Sequence, residues 1–333
     1  MKLSLIICTY MRPHALLQLL RSVQLQSVFP DEILIIDGSL NQETEWMITE
    51  NKIKNLQYFL VSENFRGLTK QRNFGLDKVA PISSVIAFLD DDTELTPNYF
   101  EELINTFADN PEISGVGGIA INENSWCLTE PNKKYDPNRY FQFDGFVYKE
   151  GQRNVMRNYL GLQSNLGPGK MPDYSHGKTC GFPLNGKTYE VDLLIGMSFA
   201  FRKKVFDSLR FSTYFEGYGL YEDADFSIRA LKFGKNVINT KVQLSHYHHP
   251  SGRPNQYKYG KMVVRNGWYV WRTKNPKPTL IAKLKWHAIT LLLTTIRYTN
   301  TFSTNNKREA LNEALGRTIG WWSLLLNKPI ILK

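Results

Sequence analysis

The chain has 333 residues, 42% of them hydrophobic and 22% charged, with a net charge of +10. These proportions belong to a folded globular protein of one large domain or two smaller ones, and they exclude a disordered or fibrous chain. Three widely spaced cysteines, Cys8, Cys127 and Cys180, give neither a disulfide framework nor a metal-binding spacing, which points to a reducing compartment.

The first 120 residues alternate strand and helix signals. Leu3 to Cys8 reads as a buried strand, too short an apolar run for a secretory signal. A polar turn with Arg12 and Pro13 leads to a helix over about 14–26, whose apolar side carries Leu16, Leu17, Leu19, Leu20 and Val23. Glu32 to Asp37 is a second strand, Leu56 to Val61 a third, and Val85 to Leu89 a fourth, with helical stretches between them. This alternation predicts an α/β fold with a mostly parallel sheet and covering helices. Ligands in such folds bind at the carboxyl ends of the strands, where Thr9, Asp37 and Asp90 to Asp92 all fall.

Residues 122–190 carry many Asn, Gly, Pro, Tyr and Lys and little periodicity, so they read as long loops with short elements. Regularity returns at Val191 to Phe201. A helix is expected from about Glu222 to Phe233, stopped at Gly234, followed by a strand from Val237 to Leu244 that delivers His246, Tyr247, His248 and His249. From about Gln256 the chain reads as helices broken by Asn275-Pro276-Lys277-Pro278. The longest apolar stretch, Trp286 to Ile296, falls short of the about 20 residues a membrane-spanning helix needs.

Two acidic clusters carry the chemistry. Asp90-Asp91-Asp92 follows directly on an apolar strand, and three adjacent carboxylates need a counter-charge. On an extended backbone Asp90 and Asp92 face one side and Asp91 the other. A hard divalent cation takes one or two carboxylates plus substrate phosphates, so the triplet hints at a metal that clamps a phosphorylated substrate; a solvated acidic turn is the plainer alternative. The second cluster, Glu222-Asp223-Ala224-Asp225, opens a helix after the glycine-rich Glu216-Gly217-Tyr218-Gly219. Asp225 is explained by an i,i+4 ion pair with Arg229. Glu222 or Asp223 is then placed to act as a general base towards a hydroxyl.

The ordered set of motifs over residues 3–266 resembles the family 2 glycosyltransferases, inverting enzymes of the GT-A fold. Ser4 to Arg12 looks like the family's first strand and nucleotide loop, Ile35-Ile36-Asp37-Gly38-Ser39 like its second strand, and Asn64 to Gly67 with Gln71-Arg72-Asn73-Phe74-Gly75 like its nucleotide-side segment. Phe88 to Asp92 matches the DXD strand, Gly196 to Lys203 the strand and turn before the acceptor loop, and Tyr221 to Asp225 with Arg229 and Gly234 the "ED-x-D" helix; Arg265-Asn266 resembles a pair in the C-terminal helices.

The resemblance implies a Rossmann-like GT-A domain over 1–250, divided into a nucleotide-sugar half (1–120) and an acceptor half (121–250), with a C-terminal helical extension over 251–333. It implies that Asp37 contacts the donor's base, with Thr9 and Arg72 in the same pocket. Asp90 would touch the ribose or sugar, with Asp91 accessory to it, and Asp92 would bind Mg²⁺ or Mn²⁺. His246 would complete the metal shell or contact the diphosphate, with His248 or His249 as alternates. Asp223 would deprotonate the acceptor, with Glu222 as the alternative base. The donor would be a UDP-, dTDP- or GDP-linked sugar, and the acceptor a glycan or lipid-linked hydroxyl, as in bacterial polysaccharide or glycoconjugate synthesis. The competing readings are a sugar nucleotidyltransferase, though the loop after the first strand lacks that class's glycines and lysine, and a catalytically silent binding protein.

Residues 253–333 hold 15 Lys/Arg, two acids and five of the seven tryptophans. A basic, Trp-rich segment suits the anionic cytoplasmic face of a membrane, with Trp268, Trp271 and Trp286 at the interface and Lys258, Lys261, Arg265, Arg272, Lys274, Lys277, Lys283 and Lys285 meeting headgroups. A homo-oligomer interface is the alternative use of these helices; nucleic acid is not expected.

Overall fold

The computed structural model describes residues 1–249 and 254–331. In chain order the elements are β1 (Leu3–Thr9), α1 (Pro13–Gln24), β2 (Glu32–Asp37), α2 (Glu43–Asn51), β3 (Leu56–Leu60), α3 (Leu68–Leu76), β4 (Val85–Asp90), β5 (Thr93–Leu95), α4 (Tyr99–Asp109) and β6 (Ile113–Ala120). Then come β7 (Cys127–Leu128), β8 (Tyr140–Phe143), β9 (Phe146–Lys149), α5 (Gln152–Tyr159), β10 (Thr188–Val191), β11 (Ser198–Arg202), α6 (Lys203–Phe206), α7 (Glu222–Ala230) and β12 (Lys235–His246). The chain closes with α8 (Gln256–Lys274), α9 (Leu280–Ser303) and α10 (Lys307–Leu326). α7 ends three residues earlier than its sequence pattern indicates, because the chain turns at Phe233, whose N–H bonds Ala230 O at 2.9 Å, and leaves Gly234 at φ 148° to enter β12.

The chain divides into two compact units, residues 1–124 with 184–252, and residues 125–183 with 253–333. In the first, nine described strands form one sheet in the order β10-β12-β6-β11-β4-β1-β2-β3, with β5 paired to β12. β1, β2, β3 and β4 run parallel, as do β6 and β12, while β11 lies antiparallel between β4 and β6. β1, β2 and β4 are apolar along nearly their whole length because helices cover both faces of a parallel sheet. Leu16, Leu19, Leu20 and Val23 of α1 and Phe100, Leu103 and Phe107 of α4 pack with Leu5, Ile7, Ile33, Ile35 and Ala87 in the core. Each helix presents this apolar face at a 3–4-residue spacing.

In the second unit β7, β9 and β8 form a three-stranded antiparallel sheet, where Trp126 packs against Phe141, Phe143 and Tyr148. α8 and α10 cross at near-backbone contact. A Cβ on Gly260 would lie 2.1 Å from Glu313 O, and one on Gly316 would lie 2.1 Å from Tyr257 O, so both positions need glycine. Between α9 and α10, Glu313 is buried and paired with Arg297 and, at 2.8 Å, with Arg317.

The tryptophans expected at an interface are mostly core. Trp268, Trp271 and Trp286 are buried; Trp271 and Trp286 stack at 5.3 Å and Trp271 donates to Asp173 O at 2.7 Å. Their flat, large surfaces cover more area in the helical core than on its outside. Several of the basic residues assigned to headgroups are also occupied: Arg272 lies against Trp268 and Trp271, Lys274 donates to Met171 O, and Lys285 sits over the Tyr174 ring. Trp322 is the exposed one among the five, and no described helix is long and apolar enough to cross a membrane.

Gly260→Ala should force α8 and α10 apart, lowering the unfolding free energy of this unit by about 2 kcal/mol. Urea denaturation followed by tryptophan fluorescence measures it; an unchanged midpoint would contradict the close crossing.

Candidate functional site

The site is built by sheet register. Thr9 is paired with Asp37 across β1 and β2, and Cys8 with Asp90 across β1 and β4, so Thr9, Asp37 and Asp90 end the three strands side by side. The strand order reverses between β1 and β4, the position where open α/β sheets form a crevice. Directly after β4 the chain turns through Asp91 and Asp92 into β5, which pairs with the end of β12 and sets His246 opposite Thr93. Tyr247 N–H bonds Asp92 O at 3.0 Å, fixing this corner.

The three aspartates have separate environments. Asp91, expected to face away, is buried and accepts from Thr9 Oγ1 at 2.6 Å and from Arg12 Nη1 at 2.9 Å. Burial pushes its carboxyl up to about 6, against the pull of Arg12 and Thr9. Asp92 accepts from the His249 N–H at 2.7 Å and lies 3.4 Å from His246 Nε2 and 3.7 Å from Arg12. Burial would raise it, but these partners together bring it down to about 2. Asp90 is partly open and lies 3.4 Å from Arg72 Nη2.

The resemblance puts Arg72 in the donor pocket with Thr9. Arg72 is buried under the acidic groups, ion-paired with Glu222 as well as Asp90, and donates to Gly196 O at 3.1 Å. The rings of Phe88, Phe199 and Phe211 surround its guanidinium at 4.9–5.6 Å. Asp37 is likewise enclosed rather than presented: Oδ1 accepts the Ser39 N–H at 2.7 Å and Oδ2 the Tyr58 hydroxyl at 2.9 Å. Gln71 on α3 donates to Thr9 O and Ile36 O, tying the ends of β1 and β2 together.

At the start of α7, Glu222 and Asp223 diverge. Glu222 is buried, and its Oε2 has no hydrogen-bond partner among the described residues. Burial pushes its carboxyl up to about 8, offset in part by Arg72. Asp223 is only half-buried; its Oδ2 accepts the Gly196 N–H at 2.9 Å and its Oδ1 the Ala224 N–H at 2.8 Å. Burial raises its pKa, against those two backbone hydrogen bonds. Asp225 is fully buried and pairs with Arg229 at 2.6 Å.

Of the three histidines at and just beyond the end of β12, His246 brings a ring nitrogen to Asp92, His248 turns to Glu123, and His249 supplies its backbone N–H. Asp90, Asp92 and His246 each offer one ligand atom, all within 4.8 Å of one another. Carboxylate oxygens with one imidazole nitrogen suit a divalent ion of the Mg²⁺ or Mn²⁺ kind. The residues therefore fit such an ion. Arg12 and Gly196, both central to this geometry, enter the sequence analysis only as the ends of longer motifs, with no role of their own: Arg12 pairs with Asp91 across the sheet, and Gly196 acts through its backbone.

The family model of glycosyl transferase family 2 matches residues 4–170. The chain belongs to this family. A glucosyl-dolichyl phosphate glucuronosyltransferase of Haloferax volcanii is 26% identical over 148 residues, 44% of this chain and 45% of that protein. The chain thus spans less than half the length of that relative. Among solved structures, this glycosyltransferase is similar to S. aureus TarS 1-349, with TM-score 0.53, 14% identity, and coverage of 98% of this chain and 79% of the other. It is also similar to the mannosyltransferase PcManGT of Pyrobaculum calidifontis in complex with GDP-Man and Mn²⁺, with TM-score 0.53, 12% identity, and coverage of 99% and 76%. The fold is that of the GT-A glycosyltransferases.

Removing the guanidinium in Arg72→Met should leave Asp90 and Glu222 without their cation and lower stability by roughly 3–5 kcal/mol. Adding Glu222→Gln should recover part of that loss in a chemical denaturation series. No recovery would mean that Arg72 acts only through packing.

Proposed function

We propose that this glycosyltransferase moves a sugar from a nucleotide-diphospho-sugar to a hydroxyl of a glycan or lipid-linked acceptor, by a single displacement with inversion. The observation that carries the reading is that Asp90 belongs both to the cluster with Asp92 and His246 and, through buried Arg72, to the ion-paired group with Glu222, the neighbour of Asp223. On this reading residues 1–120 handle the donor, residues 121–250 contribute the acceptor side through Gly196, Glu222 and Asp223, and the helices of 251–333 meet a membrane.

A bound Mg²⁺ or Mn²⁺ held by Asp92 and His246 would offset the charge of the departing diphosphate. Asp90 then faces the ribose or sugar from its partly open position, and Asp91 holds Thr9 and Arg12 in the donor loop. Asp37 shapes the turn that borders the base rather than offering a free carboxylate. Asp223 takes the proton of the attacking hydroxyl: it is the more open of the two acids of α7, and backbone N–H groups hold both of its oxygens. Glu222, buried against Arg72, positions that cation instead. The complex of PcManGT with GDP-Man and Mn²⁺, and the dolichyl-linked substrate in the name of the Haloferax relative, support a nucleotide-sugar donor and a lipid-linked acceptor. UDP-, dTDP- and GDP-linked donors are the candidates.

The membrane reading rests on α10. Leu311, Leu315, Ile319, Trp322, Leu325 and Leu326 recur at three- and four-residue steps, and all six are exposed. That is the apolar stripe of a helix lying in an interface. Lys258, Lys261, Lys277 and Lys283 are exposed in the same unit and suit anionic headgroups at the cytoplasmic face.

Asp92→Ala should abolish transfer and metal-dependent nucleotide binding in calorimetry with UDP or GDP and Mn²⁺. Asp223→Asn should keep donor binding and lose more than about a hundredfold in kcat. The base works deprotonated, so kcat falls as pH drops through the Asp223 pKa; that pKa is raised, which places the acidic limb above the ordinary aspartate range. Full turnover in Asp223→Asn would end the base assignment. The protein should also float with anionic liposomes at low salt, and Trp322→Glu with Leu326→Glu should keep it in solution. A wild-type protein that stays wholly soluble removes the membrane from the proposal.

A further inference from the structure

The acidic and imidazole groups continue past Asp92. His246 ends β12 with its two ring nitrogens facing two different carboxylates. Nε2 lies 3.4 Å from Asp92 Oδ1, and Nδ1 lies 3.0 Å from Glu123 Oε1. The same Glu123 oxygen is 2.8 Å from His248 Nε2, and the His246 and His248 rings lie 4.0 Å apart between centroids. Glu123, His246 and His248 each offer one ligand atom, and all three atoms lie within 4.8 Å of one another.

The backbone holds this arrangement. Glu123 ends the 3₁₀ turn Ile121–Glu123 that follows β6. Its neighbour Asn122 bonds both backbone groups of His246, accepting its N–H at 3.0 Å and donating to its carbonyl at 2.8 Å. His248 adopts φ 50°, a left-handed conformation uncommon outside glycine. Glu123 and His248 are 41% and 56% exposed at the side chain, so an ion reaches the cluster directly from solvent.

We propose that Glu123, His246 and His248 form a second divalent-cation site, suited to Zn²⁺, that competes with the donor-side cluster for His246. Two imidazole nitrogens and one carboxylate oxygen are a donor set Zn²⁺ takes readily, with its fourth position left for water. Mg²⁺ prefers an octahedral oxygen shell and is poorly served here.

The competition follows from the chemistry of imidazole. A neutral ring has one lone pair for a metal and one N–H. An ion beside Glu123 takes the Nδ1 lone pair, which leaves the proton on Nε2 pointing at Asp92. In that tautomer His246 cannot ligate an ion held by Asp90 and Asp92. An ion on the donor side requires the reverse tautomer, with Nδ1–H donated to Glu123. Zn²⁺ therefore acts as an inhibitor that withdraws a ligand from the transfer site. The inhibition rests on the proposed role of Asp92 and His246; the binding does not.

The test has a binding arm and an activity arm, both on the full chain. Calorimetry with Zn²⁺ alone compares wild type, His248→Ala, His248→Gln and Glu123→Gln. We expect each variant to lose more than about tenfold in affinity. With Co²⁺ as probe, the visible bands of a four-coordinate ion should appear in the wild type and be lost in His248→Ala. In the activity arm, the two His248 variants should keep Mn²⁺-supported transfer when Zn²⁺ is absent. Zn²⁺ should inhibit the wild type, excess Mn²⁺ should relieve that inhibition, and the variants should tolerate about ten times more Zn²⁺. Unchanged Zn²⁺ affinity in all three variants overturns the site. Lowered affinity with inhibition indifferent to Mn²⁺ overturns the competition. If no donor supports transfer, it is the proposed function that fails, and the binding arm still decides the site.

Discussion

The guanidinium of Arg72 is buried between Asp90 at the end of β4 and Glu222 at the start of α7, with the Phe88, Phe199 and Phe211 rings around it. A planar, permanently charged group can satisfy two carboxylates and a carbonyl at once while its faces rest on aromatic carbon. That single cation links the strand that ends in the aspartate triplet to the helix that carries the second acidic pair. Without it, two acidic elements would face each other in a low-dielectric setting, where like charges repel strongly. Arg12 does similar service on the other side, between Asp91 and Asp92. Five carboxyl groups thus gather around two arginines and one histidine, with the acids in excess.

This arrangement also sorts acids that look alike in sequence. Glu222 and Asp223 are adjacent, yet one is closed in against Arg72 and the other is half-open with both oxygens held by backbone N–H groups. The difference arises from α7 itself: neighbouring residues on a helix point about 100° apart, so one faces the sheet and the next faces its edge. The aspartate triplet is divided by the turn that follows β4, which sends Asp91 to Thr9 and Arg12 while Asp90 and Asp92 share a cluster with His246.

Much of the first unit was legible in the sequence because period and polarity are local properties. The apolar runs of β1, β2 and β4, the amphipathic face of α1 and the acidic turn after Leu89 each declare themselves within a few residues. What crosses the sheet does not. Nothing near Asp37 announces that Tyr58 will cap it, and nothing near Arg72 reveals Glu222, 150 residues away in the chain. In the second unit, charge and tryptophan content were visible but burial was not: Trp268, Trp271 and Trp286 became core, while the exposed stripe of α10 is made chiefly of leucines. The near-contact of α8 with α10 depends on Gly260 and Gly316, whose meaning appears only when two helices are laid together.

The antiparallel strand β11 lies between β4 and β6, although both of those are complete some 80 to 110 residues earlier in the chain. During synthesis the sheet must wait with a gap at its centre. A nascent chain halted before residue 198 has two open strand edges there, with the glycine-rich β6 facing vacant space where Phe199 and Phe201 belong. Open edges of this kind invite pairing with other chains. The acidic cluster waits for the same event, because Gly196 and α7 arrive with or after β11. β12, which pairs with the other edge of β6 and brings His246 to Asp92, arrives later still, so the acidic cluster is complete only after the centre of the sheet has been filled.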